Sequence, residues 1–390
     1  MRTRKLPSDA PGRYLESHPN PYYIPDKLPL SSKIEMDDVL ASSVADATFQ
    51  LGRIDGISPT VDFSPVLYTS LLRLEAVETA EIEGADVDVD EVYAYHTRSR
   101  SQGTVDVSRD LQEVLNAERA LNEGFDAIRD GESITVSLLQ SLHETLLEGV
   151  RNEGDVVGDW RESDVHIPSP RGSQPPFVPP PHGNVPELMN SLEAYIQMGG
   201  QHHPLIDLAI AHYQFETIHP CSDGNGRLGR ILIVLQLHDA GYLSDPYLYP
   251  SAYFNRNKQE YVEKMRAVSE AGKWKDWILF FLEGIEEQAR DSYERTFELI
   301  ELRRDYETSY PRSKTSHKLA RSLFDLPYFT ASEVETRFGV SRQTAYNAIE
   351  ELESDGLIVE ATGKQRNQEY KAVDVFDVLE RSTVGRPPHD

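Results

Sequence analysis

The sequence His219-Pro-Cys-Ser-Asp-Gly-Asn-Gly-Arg-Leu-Gly-Arg230 is the most informative stretch of this chain. Apolar and aromatic residues recur at helical spacing on both sides of it. Upstream these are Leu205, Leu208, His212, Phe215 and Ile218, and downstream they are Leu228, Ile231, Leu232 and Leu235. The pattern predicts a loop that joins the end of one helix to the start of the next.

The second half of this stretch has the composition of an anion site. Gly224, Asn225 and Gly226 stand at the mouth of the second helix, where backbone N–H groups and the positive end of the helix dipole favour a phosphate. Arg227 and Arg230 lie three residues apart on the first turn, so they share one face and can reach the same anion. The residues themselves therefore predict phosphate binding.

Two further side chains add chemistry to the predicted phosphate site. Asp223 supplies a hard oxygen ligand for Mg²⁺, the usual companion of phosphate oxygens. His219 supplies a base whose ordinary pKa lies near neutrality. A base, a metal ligand, an anion nest and two cationic side chains within one short segment predict a site that handles a nucleotide.

These residues resemble the signature of Fic-domain proteins, His-Pro-Phe-x-Asp-Gly-Asn-Gly-Arg-x-x-Arg. Most members of that family transfer AMP from ATP onto a hydroxyl of a target protein. The resemblance implies that His219 is the base and that ATP–Mg²⁺ is the substrate. Cys221 stands where the family usually has Phe, and the lost volume costs about 2–4 kcal/mol if neighbours do not refill it. Since Cys is also a common small buried residue, compensation by the neighbours is the alternative.

A second motif, Thr79-Ala-Glu-Ile-Glu83-Gly84, resembles the inhibitory motif of Fic proteins, [Ser/Thr]-x-x-x-Glu-[Gly/Asn]. The resemblance implies that Glu83 pairs with Arg230 and keeps it from the γ-phosphate of ATP. ATP can then enter, but its triphosphate does not present the α-phosphate for attack. The alternative is an ordinary helix-capping or solvated glutamate, because Thr79, Glu83 and Gly84 are common residues at helix ends.

Two other segments resemble parts of the same family. Val165, His166 and Ile167, which follow Gly158-Asp-Trp-Arg161, resemble the flap to which a target segment adds as a β-strand. Tyr261 resembles the aromatic wall beside the adenine. The alternatives are an ordinary surface loop for the flap and a core aromatic for Tyr261.

The C-terminal segment has a different pattern. Helical stretches over Lys318–Leu323 and 330–338 are followed by a third helix, which Ser341 caps and Gly356 stops. Residues 357–371 then predict two strands joined by a turn. Helix, helix, Gly turn, helix and hairpin resemble a winged helix-turn-helix.

A winged helix predicts contact with DNA from the start of its third helix and from the wing. The candidate contacts are Ser341, Arg342, Gln343, Thr344, Asn347, Lys364 and Arg366. Acidic residues crowd the end of the same helix and would repel phosphate: Glu350, Glu351, Glu353 and Asp355. A protein-contact module is the alternative.

These patterns predict a mainly α protein with an all-helical Fic core, a short β-hairpin flap and a C-terminal winged helix domain. Residues 1–106 form the N-terminal helical region with the inhibitory helix, 107–303 the Fic catalytic domain, and 304–390 a linker with the winged helix. Within these, Pro19–Pro29 is predicted as an extended arm and Tyr306 to Lys314 as a polar linker.

Composition limits the classes of protein to which this chain can belong. The 390 residues carry 65 acidic and 39 basic side chains, a formal net charge of −26, which indicates either adaptation to high salt or simply an acidic soluble protein. One cysteine excludes an internal disulfide. The start lacks a signal-peptide pattern, and no run of 18 apolar residues occurs. We therefore expect a cytoplasmic protein that does not contact membranes.

The resemblance to Fic proteins, together with the residues that carry it, implies a protein adenylyltransferase. It uses ATP and Mg²⁺ to modify a Tyr, Thr or Ser hydroxyl of a target protein or of itself, under inhibition by Glu83. Some family members also remove AMP, and the sequence leaves that activity and a homodimer open. The alternative is an ATP-sensing, DNA-binding regulator in which the winged helix does the work.

Overall fold

The computed structural model describes residues 10–16, 20–31, 34–57, 64–103, 105–150, 156–168 and 175–381. Its helices are α1 Asp38–Ile57, α2 Ser64–Glu83, α3 Val89–Gln102, α4 Arg109–Arg129, α5 Val136–Leu146, α6 Val185–Met198, α7 Pro204–Ile218, α8 Asn225–Asp239, α9 Ser251–Arg256, α10 Lys258–Ala271, α11 Trp274–Ser309, α12 Thr315–Ser322, α13 Ala331–Phe338, α14 Arg342–Ser354 and α15 Val373–Glu380. Its strands are β1 Gly12–Leu15, β2 Tyr22–Pro25, β3 Tyr328–Thr330, β4 Ile358–Glu360 and β5 Glu369–Ala372. The predicted mainly α fold is confirmed.

Helices α7 and α8 form the centre of the larger domain. Both are buried on nearly every side, since α6, α11 and β2 pack against α7, while α2, α4 and α5 pack against α8. A helix that is apolar all round belongs inside a core. The loop between these two helices is therefore held at both ends by the most rigid part of the molecule.

The predicted loop between the two helices is confirmed. Helix α7 ends at Ile218 because His219 adopts the left-handed conformation, with φ 49°, and Pro220 follows it. Helix α8 begins after Gly224, whose φ is 77°. The reversal therefore takes only a few residues, and it places His219 close to the N-terminus of α8.

Helix α11 is longer than predicted. It runs to Ser309, so the expected linker from Tyr306 is wrong for its first residues and the boundary at residue 303 falls inside a helix. The side chains of Tyr306 and Tyr310 are buried, and their hydroxyls donate to Asp374 and Asp355. Helix α11 continues past the predicted boundary because the face that carries Tyr306 and Tyr310 packs on the C-terminal domain. No helix in the described ranges, α11 included, is long and apolar enough to span a bilayer.

The N-terminal segment is a β-hairpin rather than only an extended arm. Strands β1 and β2 are antiparallel, with Gly12 opposite Pro25 and Leu15 opposite Tyr22. The backbone N–H of Tyr23 donates to the carbonyl of Val178 over 2.8 Å. The hairpin thus lies beside Val178, in the segment that follows the predicted flap.

The predicted winged helix is present, with two elements that the sequence pattern missed. Helix α13 carries a capping box, Ser341 caps α14, and Gly356 follows its end. The strand β3 and the helix α15 were not predicted. β3 has three residues and runs directly into α13, so it shows no alternation long enough to read. The sheet order is β3-β5-β4, all antiparallel.

The C-terminal domain packs closely on α3 and α11. Arg98 forms an ion pair of 2.8 Å with Glu369, which is buried, and Thr97 donates to the carbonyl of Tyr328 over 2.9 Å. From α11, the buried Arg295 donates to carbonyls at the end of α15, including that of Leu379 at 3.1 Å. The winged helix is therefore an integral part of the structure.

Candidate active site

A cavity of about 710 Å³ lies where α2 ends, between the α7–α8 loop, α10 and the two arms of the flap. It brings together His219, Glu83, Gly226, Arg230, Tyr261 and Ile167, all of which the sequence proposed. Other lining residues were not proposed: Ile82, Phe177, Glu216, Lys258, Met265 and Arg266. The wall is mainly apolar, and the charged groups collect at one end.

His219 is fixed through its backbone and faces this cavity. Its N–H donates to the carbonyl of Phe215 over 2.9 Å, and its carbonyl accepts from Nε of Arg161 over 2.8 Å. Burial, helped by the charge of Arg161, lowers the pKa of the imidazole to about 4. Nδ1 is buried without a hydrogen-bond partner among the described residues. The side chain is therefore a neutral imidazole, able to accept a proton.

The loop after His219 is closed by Asn225 and His143. The N–H of Cys221 donates to Oδ1 of Asn225 over 2.7 Å, and Nδ2 of Asn225 donates to the Cys221 carbonyl over 3.0 Å. Nε2 of His143 donates to the carbonyl of Asp223 over 3.0 Å. Cys221 is fully buried in the core. The amide group of Asn225 is thus committed to the loop and does not point to a phosphate.

Glu83 and Arg230 form an ion pair at the charged end of the cavity. Nη2 of Arg230 donates to Oε1 of Glu83 over 2.7 Å and to the Thr79 carbonyl over 2.9 Å, while Nε donates to Thr79 Oγ1 over 2.8 Å. Although burial raises the pKa of Glu83, the Arg230 charge outweighs it, so the pKa lies below its usual value. The carboxylate is therefore charged at neutral pH.

Two glycines allow this contact. Gly84 has φ 107°, which ends α2 directly after Glu83 at low steric cost. At Gly226, an added Cβ would lie 2.2 Å from Oε1 of Glu83. The carboxylate thus rests against the backbone at the start of α8, where the helix N-terminus favours an anion.

The end of α2 is fastened to the neighbouring helices. Buried Glu75 accepts from the N–H of Ser251 over 3.0 Å, and its pKa is raised to about 8 by burial. Glu78 accepts from Asn255 over 2.9 Å. Lys258 donates to the carbonyl of Ile82. These contacts hold Glu83 in place against Arg230.

Arg227 and Asp223 lie near the α8 N-terminus and do not line the cavity. Nη1 of Arg227 donates to Glu113 of α4 over 3.0 Å, a partner that no sequence motif indicated. Oδ1 of Asp223 accepts from the N–H of Gly224 over 2.7 Å, and the side chain is 39% exposed. No group of three His, Cys, Asp or Glu side chains in the described ranges could hold a metal ion. A cation at Asp223 would therefore need ligands from water and a bound phosphate, which suits Mg²⁺.

Glu216 is a cavity residue that the motif analysis missed. Burial raises its pKa to about 7, although the charge of Arg230 opposes this. Its Oε1 is buried without a hydrogen-bond partner in the described part of the chain. The available signal was an acidic residue near the end of a largely apolar helix, three positions before His219.

Tyr261 lies where the core meets the cavity. It is buried in the core and also lines the cavity. Nδ1 of His212 donates to the carbonyl of Gly229 over 3.2 Å, so Nε2 accepts from the Tyr261 hydroxyl over 2.6 Å. His212 therefore holds the Tyr261 hydroxyl and orients the ring.

The flap is reduced to one antiparallel bridge in the described residues. Ile167 and Phe177 exchange both backbone hydrogen bonds, at 2.8 and 2.9 Å. His166 is exposed and Val165 half-buried, while residues 169–174 lie outside the described ranges. Since β2 bonds to Val178, the edge beside Ile167 is the one left for another strand.

The predicted DNA contacts lie mostly at the surface of the winged helix. Thr344 is half-buried, and the rest are exposed: Ser341, Arg342, Gln343, Asn347, Lys364 and Arg366. Oγ of Ser341 accepts from the N–H of Thr344 over 3.2 Å, which uses the serine as a helix cap. Nζ of Lys364 lies 3.6 Å from Oε1 of Glu369.

Family models match three parts of the chain. The Fic/DOC family matches residues 133–237, the Fic/DOC family N-terminal region matches 41–126, and an HTH domain matches 323–365. The chain contains a Fic domain. The Fic match contains His219 and the flap, and the N-terminal match contains Glu83, so the ion pair joins the two matched parts of this Fic-domain protein.

Several known proteins are similar to it. A probable protein adenylyltransferase of Aquifex aeolicus (strain VF5) is 28% identical over 200 residues, 51% of this chain and 56% of that protein. Protein adenylyltransferase Fic of Aedes aegypti is 34% identical over 118 residues, 30% of this chain and 22% of that protein. The chain thus spans about half or less of these relatives.

A solved structure supports the fold of this Fic-domain protein. It is that of a Fic family protein from Desulfovibrio desulfuricans G20, with a TM-score of 0.56 and 21% identity, over 91% of this chain and 99% of that one. The similarity extends over nearly the whole of both chains, so it concerns the fold of the chain beyond the Fic core.

Proposed function

We propose that this protein is an adenylyltransferase that moves AMP from ATP onto a hydroxyl of a protein, and that Glu83 inhibits it. One observation carries the proposal: a neutral histidine and an ion-paired arginine face the same cavity, with the inhibitory carboxylate resting on the N-terminus of α8. The carboxylate occupies a place suited to a phosphate. Its departure would expose an arginine and a helix N-terminus together.

ATP binds with its phosphates along the start of α8. The backbone N–H groups of residues 224–226 and the guanidinium of Arg227 hold the α- and β-phosphates, and Arg230 holds the γ-phosphate once Glu83 has left. The adenine lies against the apolar wall to which Tyr261 belongs. While Glu83 stays on Arg230, the triphosphate lacks this last contact and is not oriented for attack.

His219 acts as the general base in the transfer. Its imidazole takes the proton of a Tyr, Thr or Ser hydroxyl, and the oxygen forms a bond to the α-phosphorus. The bond between that phosphorus and the oxygen bridging to the β-phosphate breaks, and its electrons leave with pyrophosphate. Base catalysis of this kind contributes about 10²–10⁴ in rate. Arg227 and Arg230 neutralise the leaving group.

Asp223 is the residue that would hold Mg²⁺. Its carboxylate is partly exposed beside the phosphate site, and a single carboxylate with phosphate and water ligands is typical of this ion. The ion would neutralise charge on the phosphates and stabilise pyrophosphate as it leaves.

The target docks along the outer edge of the flap. Ile167 pairs inward with Phe177, so the backbone groups of His166 and the carbonyl of Pro168 point to the outer edge. A target strand added there would carry its hydroxyl towards His219. Backbone pairing carries little sequence information, so this edge does not identify the target.

The full-length protein tests the proposal directly. Incubated with Mg²⁺ and ATP labelled at the α-phosphate, Glu83→Gly should incorporate label into itself, and mass spectrometry should find a mass increase of one AMP. The parent should incorporate much less. If Glu83→Gly gains label from γ-labelled ATP instead, or none from either, the proposed reaction is wrong.

A second candidate function is DNA binding by the C-terminal domain. The HTH match and the exposed residues at the start of α14 and on the wing favour it. In that case ATP bound at the Fic site would regulate a DNA-binding protein. Titration of a labelled duplex at increasing salt should give an affinity that falls as salt rises. Absence of binding at low salt would leave α14 as a protein-contact surface.

A further inference from the structure

Arg161 connects the α7–α8 loop, which contains His219, to both ends of the flap. Its side chain is fully buried, and its Nε donates to the carbonyl of His219 over 2.8 Å. Nη1 donates to the carbonyl of Ser163 over 3.0 Å, where the flap begins, and Nη2 donates to that of Pro180 over 2.5 Å, where it ends. The backbone N–H of Arg161 also donates to the carbonyl of Pro220 over 2.9 Å.

The buried guanidinium of Arg161 does not form a hydrogen bond to a carboxylate. Its nearest acidic group is Asp164 at 3.8 Å, beyond hydrogen-bond distance. Asp164 in turn accepts from the Tyr22 hydroxyl over 2.6 Å and from His182 Nδ1 over 3.0 Å. Nε, Nη1 and Nη2 of Arg161 each donate to a different carbonyl, which the fixed fork of a guanidinium allows and the single nitrogen of an ammonium does not match. The arrangement specifically requires arginine.

These carbonyls belong to the α7–α8 loop and to the flap, two parts of the site whose relative position must be kept. His219 sits in the left-handed conformation, which a non-glycine residue adopts only when its surroundings enforce it. The flap positions the target hydroxyl. Because Arg161 bonds to both, a shift of one part is transmitted to the other.

We propose that Arg161 is a positioning residue for AMP transfer, which fixes the His219 backbone relative to the two ends of the flap. The inference rests on the proposed function. Arg161 does not line the cavity, so it acts through His219 and the flap and touches neither ATP nor the target.

The charge of Arg161 supports the same role. After burial, the charge of Arg161 is the second cause that lowers the pKa of His219. Glu83, Asp223 and the carbonyl of Glu216 raise that pKa. The other charged groups on the same cavity are the Glu216 carboxylate, Arg230, Lys258 and Arg266. Arg161 thus keeps the base unprotonated as well as in place.

The kinetic test uses Glu83→Gly as the active background, with Arg161→Met and Arg161→Lys added separately. A displacement of the base of about 1 Å costs about 10²-fold in rate, so Arg161→Met should lower kcat by that order. The Kd for a non-hydrolysable ATP analogue with Mg²⁺ should change little. Arg161→Lys should also lose most of kcat, because an ammonium cannot bridge the three carbonyls, but it should retain the parental pH profile.

Arg295→Met is the matched control, since Arg295 is also buried and also donates to backbone carbonyls, at the end of α15. It should lower thermal stability and leave kcat nearly unchanged. If Arg161→Met keeps kcat within about threefold of the background, or if Arg295→Met loses as much, Arg161 has only a structural role and the proposal is wrong. Full activity of Arg161→Lys would overturn it equally, because charge alone would then suffice.

Hydrogen exchange separates this inference from the proposed function. Peptides covering residues 161–168 and 216–224 should exchange faster in Arg161→Met than in the parent, and Arg295→Met should leave both segments protected. That result supports the positioning role even if Glu83→Gly transfers no AMP, in which case the proposed reaction alone fails. Unchanged exchange in both segments contradicts the role of Arg161 whatever the activity.

Discussion

Nη2 of Arg230 and Oε1 of Glu83 lie 2.7 Å apart, although 147 residues separate them in the chain. Arg230 is almost completely buried, and Glu83 closes the cavity beside it. A buried guanidinium needs a partner. In this structure the partner is the inhibitory carboxylate, and in the proposed active state it is a phosphate of ATP. The two ligands compete for one cation.

This competition predicts a non-additive pair of variants. Glu83→Gly should raise auto-AMPylation by about 10-fold or more, within the usual range of coupling between sites. Arg230→Ala should lower it, and the double variant should resemble Arg230→Ala, since removing the inhibitor cannot help when the residue it blocks is absent. Initial rates of label incorporation measure all three. Glu81→Gly is the control for loss of helix propensity near the end of α2.

Two results would contradict this explanation. One is an unchanged rate in Glu83→Gly, and the other is a double variant as active as Glu83→Gly. In either case Thr79–Gly84 is an ordinary helix end. A Glu81→Gly variant as active as Glu83→Gly would show that loosening the helix, and not loss of the carboxylate, releases the activity.

The burial of His219 predicts an unusual pH profile. Its pKa is lowered to about 4, so the base is neutral above that pH and becomes protonated only as the pH falls through it. In Glu83→Gly, kcat should stay nearly constant from about pH 8 to about pH 5 and then fall. Removing the Glu83 charge, which raises this pKa, moves the fall lower still. A midpoint near 6.5, the ordinary value for histidine, would contradict the assignment, and circular dichroism checks folding at each pH.

His219→Ala, in the Glu83→Gly background, should abolish AMP transfer and leave ATP binding intact. The phosphates are held by the start of α8 and not by the imidazole. Calorimetry with an ATP analogue and Mg²⁺ measures binding, and label incorporation measures transfer. Undiminished transfer at neutral pH would show that another group is the base.

Asp223→Ala should lose Mg²⁺-dependent activity. The carboxylate is the protein's own contribution to the proposed metal shell, because no cluster of three acidic, histidine or cysteine side chains occurs in the ranges described. The transfer rate of Glu83→Gly with and without this change, measured over a series of Mg²⁺ concentrations, tests it. Asp223→Asn is the matched variant that keeps the bond from the Gly224 N–H. If both variants keep the parental concentration dependence, Asp223 is not the ligand.

The winged helix gives a separate prediction. If it binds DNA, Arg342→Ala and Lys364→Ala should each weaken binding, and the slope of log affinity against log salt should shrink by about one for each lost phosphate contact. Arg304→Ala is the control, because Arg304 is exposed and belongs to α11 rather than to α14 or the wing. Equal effects of all three substitutions would indicate non-specific attraction to the chain.

Local patterns were sufficient for much of the fold. The helices around the signature, the cap of α14 and the wing were predicted because periodicity and capping involve residues close in sequence. Elements decided by burial against distant parts of the chain were not. The last residues of α11 are helical because Tyr306 packs on the C-terminal domain, and β3 is a strand because β5 pairs with it.

The site divides in the same way. The sequence by itself determined the chemical groups in the α7–α8 loop, because they lie side by side and their spacing fixes how they meet at a helix start. It also proposed Glu83, through a resemblance between motifs. Only the tertiary structure decided that Arg227 bonds Glu113, that Glu216 is buried in the cavity, and that Arg161 ties His219 to the flap. Those contacts join residues far apart in the chain, and their distances and pKa values exist only once the helices have packed and excluded water.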